Sequence, residues 1–213
     1  MLRALGQLKT YHLAALDGEF GRVVDVLFDD EHWTVSYLVV KTGPWLFGRK
    51  VLIGSHLVGT PDRKTQTIRT RLTKDQIKHA PDLDTDAPVS RQHEREFFEY
   101  SALTPYWQTT LPPPIPIPAD ESGNTHLRSM RAVTGYRVAA DDEDLGEVVD
   151  FIIDDDVWVI RFIVVCVGRA HRGRTVLIAP EWVNDIDWRT SRVALPLDRE
   201  HVEQAPEYRP ELS

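Results

Sequence analysis

The chain has 213 residues, 42% hydrophobic and 27% charged, with a net charge of −8. Its one cysteine, Cys166, excludes an intrachain disulfide and a thiolate metal cluster. No apolar run reaches the ~20 residues a membrane helix needs, the N-terminus has no long apolar core, and overall acidity disfavours general binding to phosphate backbones. A soluble, cytoplasmic protein without membrane insertion is the expectation.

In chain order, residues 9–14 read as a strand, and Asp17-Gly18 supplies a tight turn. Residues 22–28 follow, rich in Val and Leu, and stop at Asp29-Asp30-Glu31-His32. Residues 34–42 form the longest run. Its alternating positions are nearly all apolar, so this strand should be covered on both faces for much of its length. Residues 50–53 and 67–72 complete the strands. Thr73, with Gln76 three residues on, makes a capping box for a short helix that stops before Ala80-Pro81.

Residues 84–125 differ in composition. Ser90 can cap a helix over about 91–100. Phe97, Phe98, Tyr100, Tyr106 and Trp107 place five aromatics in eleven residues, which suits a sealed seam or a docking surface. Pro112-Pro113-Pro114-Ile115-Pro116-Ile117-Pro118 should run as an extended polyproline spacer.

The remainder repeats the beginning. Gly21-Arg22-Val23-Val24-Asp25 aligns with Gly146-Glu147-Val148-Val149-Asp150, Trp33 with Trp158, and Gly48-Arg49-Lys50-Val51-Leu52-Ile53 with Gly173-Arg174-Thr175-Val176-Leu177-Ile178. Ala80-Pro81 aligns with Ala205-Pro206, and every match is offset by 125 without a gap. A repeat of this length means one fold encoded twice. The predicted organisation is repeat 1 over 1–83, connector over 84–125 and repeat 2 over 126–213. The fold class is mainly β: two small antiparallel barrels, with short helices after each barrel and in the connector. The repeats should pack on each other, since units this small are marginally stable alone. Charge is uneven, +3 in repeat 1, −5 in the connector and −6 in repeat 2, which contains no lysine.

Several residue groups carry the functional expectations. Asp25 and Asp150 lie within strands at equivalent positions, and a buried carboxylate needs a partner; Arg49 and Arg174, also equivalent, are the expected structural ion pairs. The loop Gly43-Pro44-Trp45-Leu46-Phe47-Gly48 is apolar where its counterpart, Gly168-Arg169-Ala170-His171-Arg172-Gly173, is basic. Trp45, Leu46 and Phe47 are therefore candidate interaction residues, and Arg169, His171, Arg172 and Arg174 candidate anion contacts. Asp154-Asp155-Asp156 reads as turn chemistry or a low-affinity cation site, and it lacks the ligand spacing of an EF-hand. Cys166 sits in an apolar strand and should be a buried, inert thiol. No catalytic, cofactor or metal residues are assigned.

Each copy thus reads Gly, Val-Val-Asp, an Asp-Asp, a Trp, a hydrophobic strand ending in Gly, Gly-Arg-x-Val-Leu-Ile, and a capped helix ending Ala-Pro. This resembles the PRC-barrel family, named for the cytoplasmic domain of the photosynthetic reaction centre H subunit. Related barrels form the C-terminal half of a ribosome maturation factor. The resemblance implies a non-enzymatic scaffold or adaptor that binds a macromolecular partner, with room for a homodimer. Its alternatives are a ribosome- or RNA-associated role, a photosynthetic or electron-transfer accessory role, and a barrel that binds a small ligand or metal.

Overall fold

The computed structural model describes residues 1–80, 127–140, 143–168 and 173–210; the side chain of Trp45 is not among the described groups. The expected connector helix, the polyproline spacer and Phe97, Phe98, Tyr100, Tyr106 and Trp107 lie outside the described residues. So do Arg169, His171 and Arg172.

The chain is mainly β. The strands are β1 (Leu2–Ala4), β2 (His12–Ala15), β3 (Gly18–Asp29), β4 (Thr34–Thr42), β5 (Lys50–Gly54) and β6 (Thr67–Arg69), followed by helix α1 (Lys74–Lys78). Then come β7 (Leu127–Ser129), α2 (Met130–Val133), β8 (Arg137–Ala140), β9 (Glu143–Asp154), β10 (Val159–Val167), β11 (Arg174–Ile178), β12 (Asp185–Asp187), β13 (Arg192–Leu195) and α3 (Arg199–Gln204). The limits of β1, β2, β3 and β4 recur 125 positions later in β7, β8, β9 and β10.

Local chemistry explains the element boundaries. The β2–β3 turn carries Gly18 at φ 120°, a conformation glycine adopts without steric cost. Leu38, Val39 and Val40 of β4 are all buried, as a strand covered on both faces requires. Helix α1 begins on Thr73, whose hydroxyl accepts from Gln76 N–H while the Gln76 side chain accepts from Thr73 N–H. Asp198 caps α3 by accepting from His201 N–H at 2.9 Å.

The chain divides into two compact units, and they are not the contiguous halves expected. One comprises Met1–Leu8, His32–Thr34 and Ser129–Ser213; the other comprises Lys9–Glu31 and Val35–Arg128. The opening segment of each repeat is therefore built into the unit formed mostly by the other repeat. In the repeat 2 unit the strands run β12-β13-β8-β9-β10-β11, with β1 on β9. In the repeat 1 unit the order is β6-β2-β3-β4-β5, with β7 on β3. The expected antiparallel barrels are met only in part. β13 pairs β8 in parallel and β2 pairs β6 in parallel, so the sheet is mixed. The pairings belong to one 13-stranded sheet, in which Val159 of β10 also lies beside Thr34 of β4, and among the described residues none closes it into a barrel.

One buried cluster in each unit uses four equivalent positions, whereas the borrowed strands contribute at different ones, Leu127 being equivalent to Leu2 and Ala4 to Ser129. In the repeat 1 unit Leu27, Tyr37, Val39 and Leu52 pack together, with Leu127 of the borrowed strand among them. In the repeat 2 unit Ile152, Phe162, Val164 and Leu177 pack with Ala4 of its borrowed strand. Burying a leucine is worth about 1.5–3 kcal/mol, so Leu127 contributes materially to a core outside its own repeat.

Two equivalent glycines set the approach of neighbouring strands. A Cβ on Gly146 would collide with the Cys166 carbonyl, and one on Gly21 with the Lys41 carbonyl. Backbone cannot yield as a side chain can. Gly146→Ala is expected to cost about 1–3 kcal/mol in thermal or urea unfolding, and unchanged stability would show that β9 and β10 tolerate wider spacing.

Candidate functional site

The β4–β5 hairpin ends in a tight apolar tip. Pro44–Leu46 forms one 3-10 turn, and Phe47 N–H donates to the Pro44 carbonyl at 3.1 Å. Phe47 takes φ 55°, a left-handed conformation that costs a non-glycine residue roughly 1–2 kcal/mol. The surrounding bonds hold it there. Gly48 N–H reaches Gly43 O at 3.2 Å, Arg49 N–H reaches Leu46 O at 3.1 Å, and Thr42 Oγ1 donates to Arg49 O at 3.0 Å.

The three candidate interaction residues separate here. Leu46 is 6% exposed and anchors the tip from within, so it is not available for docking. Phe47 is 95% exposed, the most exposed of the large hydrophobic side chains described. Trp45 contributes its backbone to the turn.

The expected Arg174–Asp150 pair takes a different form. Arg174 does not meet Asp150; its guanidinium donates to the carbonyls of Glu203 at 2.7 Å and Ala205 at 3.1 Å. Arg49 reaches the equivalent carbonyls, Lys78 and Ala80, at 3.5 Å. Both arginines thus serve the C-terminal ends of α3 and α1, where helix carbonyls lack partners within the helix. Asp150 accepts from Gly6 N–H at 2.9 Å and Phe151 N–H at 2.8 Å, and Asp25 accepts from Val26 N–H at 2.8 Å. Both in-strand carboxylates thus take backbone donors among their partners.

The buried ion pairs lie elsewhere. Arg3 Nε donates to Asp155 Oδ2 at 2.7 Å, with the side chains 2% and 0% exposed. Arg128 Nε donates to Asp30 Oδ2 at 2.6 Å, also well buried. These four residues occupy two repeat positions, Arg3 with Arg128 and Asp30 with Asp155. Each pair joins an arginine of one repeat to the hairpin turn of the other. The turn reading of the acidic clusters holds for the first aspartate of each, since Asp29 accepts from Glu31 N–H and Asp154 from Asp156 N–H. The second aspartate is the ion-pair partner, a role the offset contained but turn composition masked.

The candidate cation site at Asp154, Asp155 and Asp156 surrounds the Met1 ammonium, at 2.8, 3.0 and 2.6 Å respectively. Donating hydrogen bonds to Asp154 and Asp156 pushes that ammonium up to about 11, and the ammonium holds the Asp154 carboxyl below its ordinary value. Cys166 is buried in β10, opposite Thr175 and Glu147, as its apolar strand implied. Burial, reinforced by Arg71, pushes the His56 imidazole down.

Deleting one partner of a buried pair strands the other charge, which costs about 3–5 kcal/mol. Arg3→Met should therefore destabilise the chain by about that much, and Arg128→Met by less because its pair is better solvated. Adding Asp155→Asn to Arg3→Met should recover part of the loss in urea unfolding. A double variant no more stable than Arg3→Met would contradict a charge-based role. Compared with known families and curated proteins, the chain matches no family model and no curated sequence.

Proposed function

We propose that the chain is a non-enzymatic scaffold of the PRC-barrel kind, two copies of one small β module, which uses the β4–β5 tip to hold a protein partner. Recurrent element limits and matched core positions support the duplicated module. A framework repeated this faithfully marks by contrast the places where the copies diverge, and the tip is the sharpest of them. There Phe47 stands opposite Arg172 in the alignment.

The observation that carries the reading is the exposure of Phe47 on a backbone fixed in the left-handed region. Leaving a phenyl ring in water forgoes roughly 1.5–3 kcal/mol, and the backbone conformation adds its own cost. A rigid aromatic on a preordered turn is what a binding hot spot needs, because little entropy is lost when it docks. Buried Leu46 is the fixed base of this projection.

Phe47→Ser removes the ring and leaves Leu46 in place, so the melting temperature should hold. Affinity capture with the two proteins side by side tests the reading. A protein retained by the parent and lost at least roughly tenfold with Phe47→Ser is the expected result, in keeping with an aromatic hot spot. The same proteins retained equally by both would overturn it.

A further inference from the structure

A second feature lies on the repeat 2 unit and does not depend on the scaffold reading. Two adjoining hollows of about 490 and 700 Å³ share Thr190 and Arg192. Strand register explains their common face. β8 and β13 run parallel with Arg137 beside Arg192 and Ala139 beside Ala194, and Asp144 of β9 stands opposite Ala139. Side chains two apart on a strand share a face, so both arginines, both alanines and Asp144 line one open groove.

The charged end is a clamp. Arg192 Nη2 donates to Asp144 Oδ1 at 3.0 Å and Arg137 Nη1 to Asp144 Oδ2 at 3.3 Å. One carboxylate therefore serves two guanidiniums, leaving a local charge of +1. A guanidinium carries five N–H donors in a fixed fork, so most of those on each arginine remain for a planar acceptor. Repeat 1 places His12, Glu19 and Thr67 at these three positions, so only repeat 2 has the arrangement.

The other end is less polar at its floor, where Ala139, Ala194 and Pro196 contribute, and acidic at its rim, where Asp185 and Asp187 lie. Asp187 is turned to its own loop, accepting from Arg189 N–H at 2.8 Å and the Thr190 hydroxyl at 2.7 Å. The rim carboxylates select against a dianion. One negative charge neutralises the clamp; a second would be repelled by Asp144, Asp185 and Asp187. The volume falls in the range of small-molecule sites.

We propose that this groove binds a small organic monocarboxylate, with its carboxylate across Arg137 and Arg192 and its apolar body over Ala139 and Ala194.

Titration of the full chain with hexanoate, acetate and inorganic phosphate, read from amide chemical shifts at low ionic strength, tests this. Saturable hexanoate shifts at Gly135, Ser191 and Arg192 are expected, with acetate weaker and phosphate no tighter than hexanoate. Removing both arginines (Arg137→Gln with Arg192→Gln) should weaken hexanoate roughly tenfold or more, and Asp144→Asn, which frees the guanidiniums, should tighten it. All three side chains are at least 39% exposed, so the variants should fold. The absence of saturable shifts, equal binding by the double arginine variant, or phosphate binding tighter than hexanoate would each overturn the proposal.

Discussion

The rest of the architecture depends on an arginine that must reach an aspartate across the repeat boundary. Arg3 and Asp155 are the most deeply buried ion pair described, and burial makes each dependent on groups of opposite charge. Asp155 stands in the β9–β10 turn, while Arg3 arrives on a strand belonging by sequence to repeat 1. β1 cannot deliver the arginine without pairing with β9, which it does through Leu2, Arg3 and Ala4. Arg128 and Asp30 impose the same requirement in the other direction. Because both repeats carry the arginine and the aspartate at the same positions, the charge pair fixes how a first strand seats on a hairpin and does not by itself select which copy that strand completes. Such a pair adds specificity even where its net contribution to stability is small.

Much of this was legible in the residues. Alternating Val and Leu around Tyr37 and Val39 specified β4, Asp17-Gly18 specified the first hairpin, and Thr73 with Gln76 specified the start of α1. Burial of Cys166 followed from its neighbours Val164, Val165 and Val167. The 125-residue offset carried the pairing of elements with one another, down to the core positions Leu27 with Ile152 and Val39 with Val164.

The exchange of first strands was not legible, for a physical reason. An internal alignment says which segments are alike, and two like segments fit two like sites equally well as far as pattern can tell. Arg3 and Arg128 are short of any apolar periodicity that would mark them as buried, and Asp30 and Asp155 sit among acidic turn residues. Asp25 and Asp150 drew attention as in-strand carboxylates, and both accept from backbone N–H groups, contacts that leave no trace in composition. The parallel pairings of β2 with β6 and β8 with β13 were hidden likewise, because β6 and β13 are only three and four residues long. At the tip, Trp45, Leu46 and Phe47 read as one greasy run. Only turn geometry separates Leu46, which holds the loop, from Phe47, which leaves it. Arg137, Asp144 and Arg192 come together through strand register, over a sequence distance no motif spans.

Hydrogen exchange on Arg3→Met and Arg128→Met, compared strand by strand, tests the exchanged architecture most directly. The account predicts that Arg3→Met loosens the amides of β9 and β10, in the repeat that does not contain it, while β3 and β4 keep their protection. Arg128→Met should do the reverse. If each substitution instead loosened the long strands of its own repeat, the strands would not be exchanged and the account would be wrong.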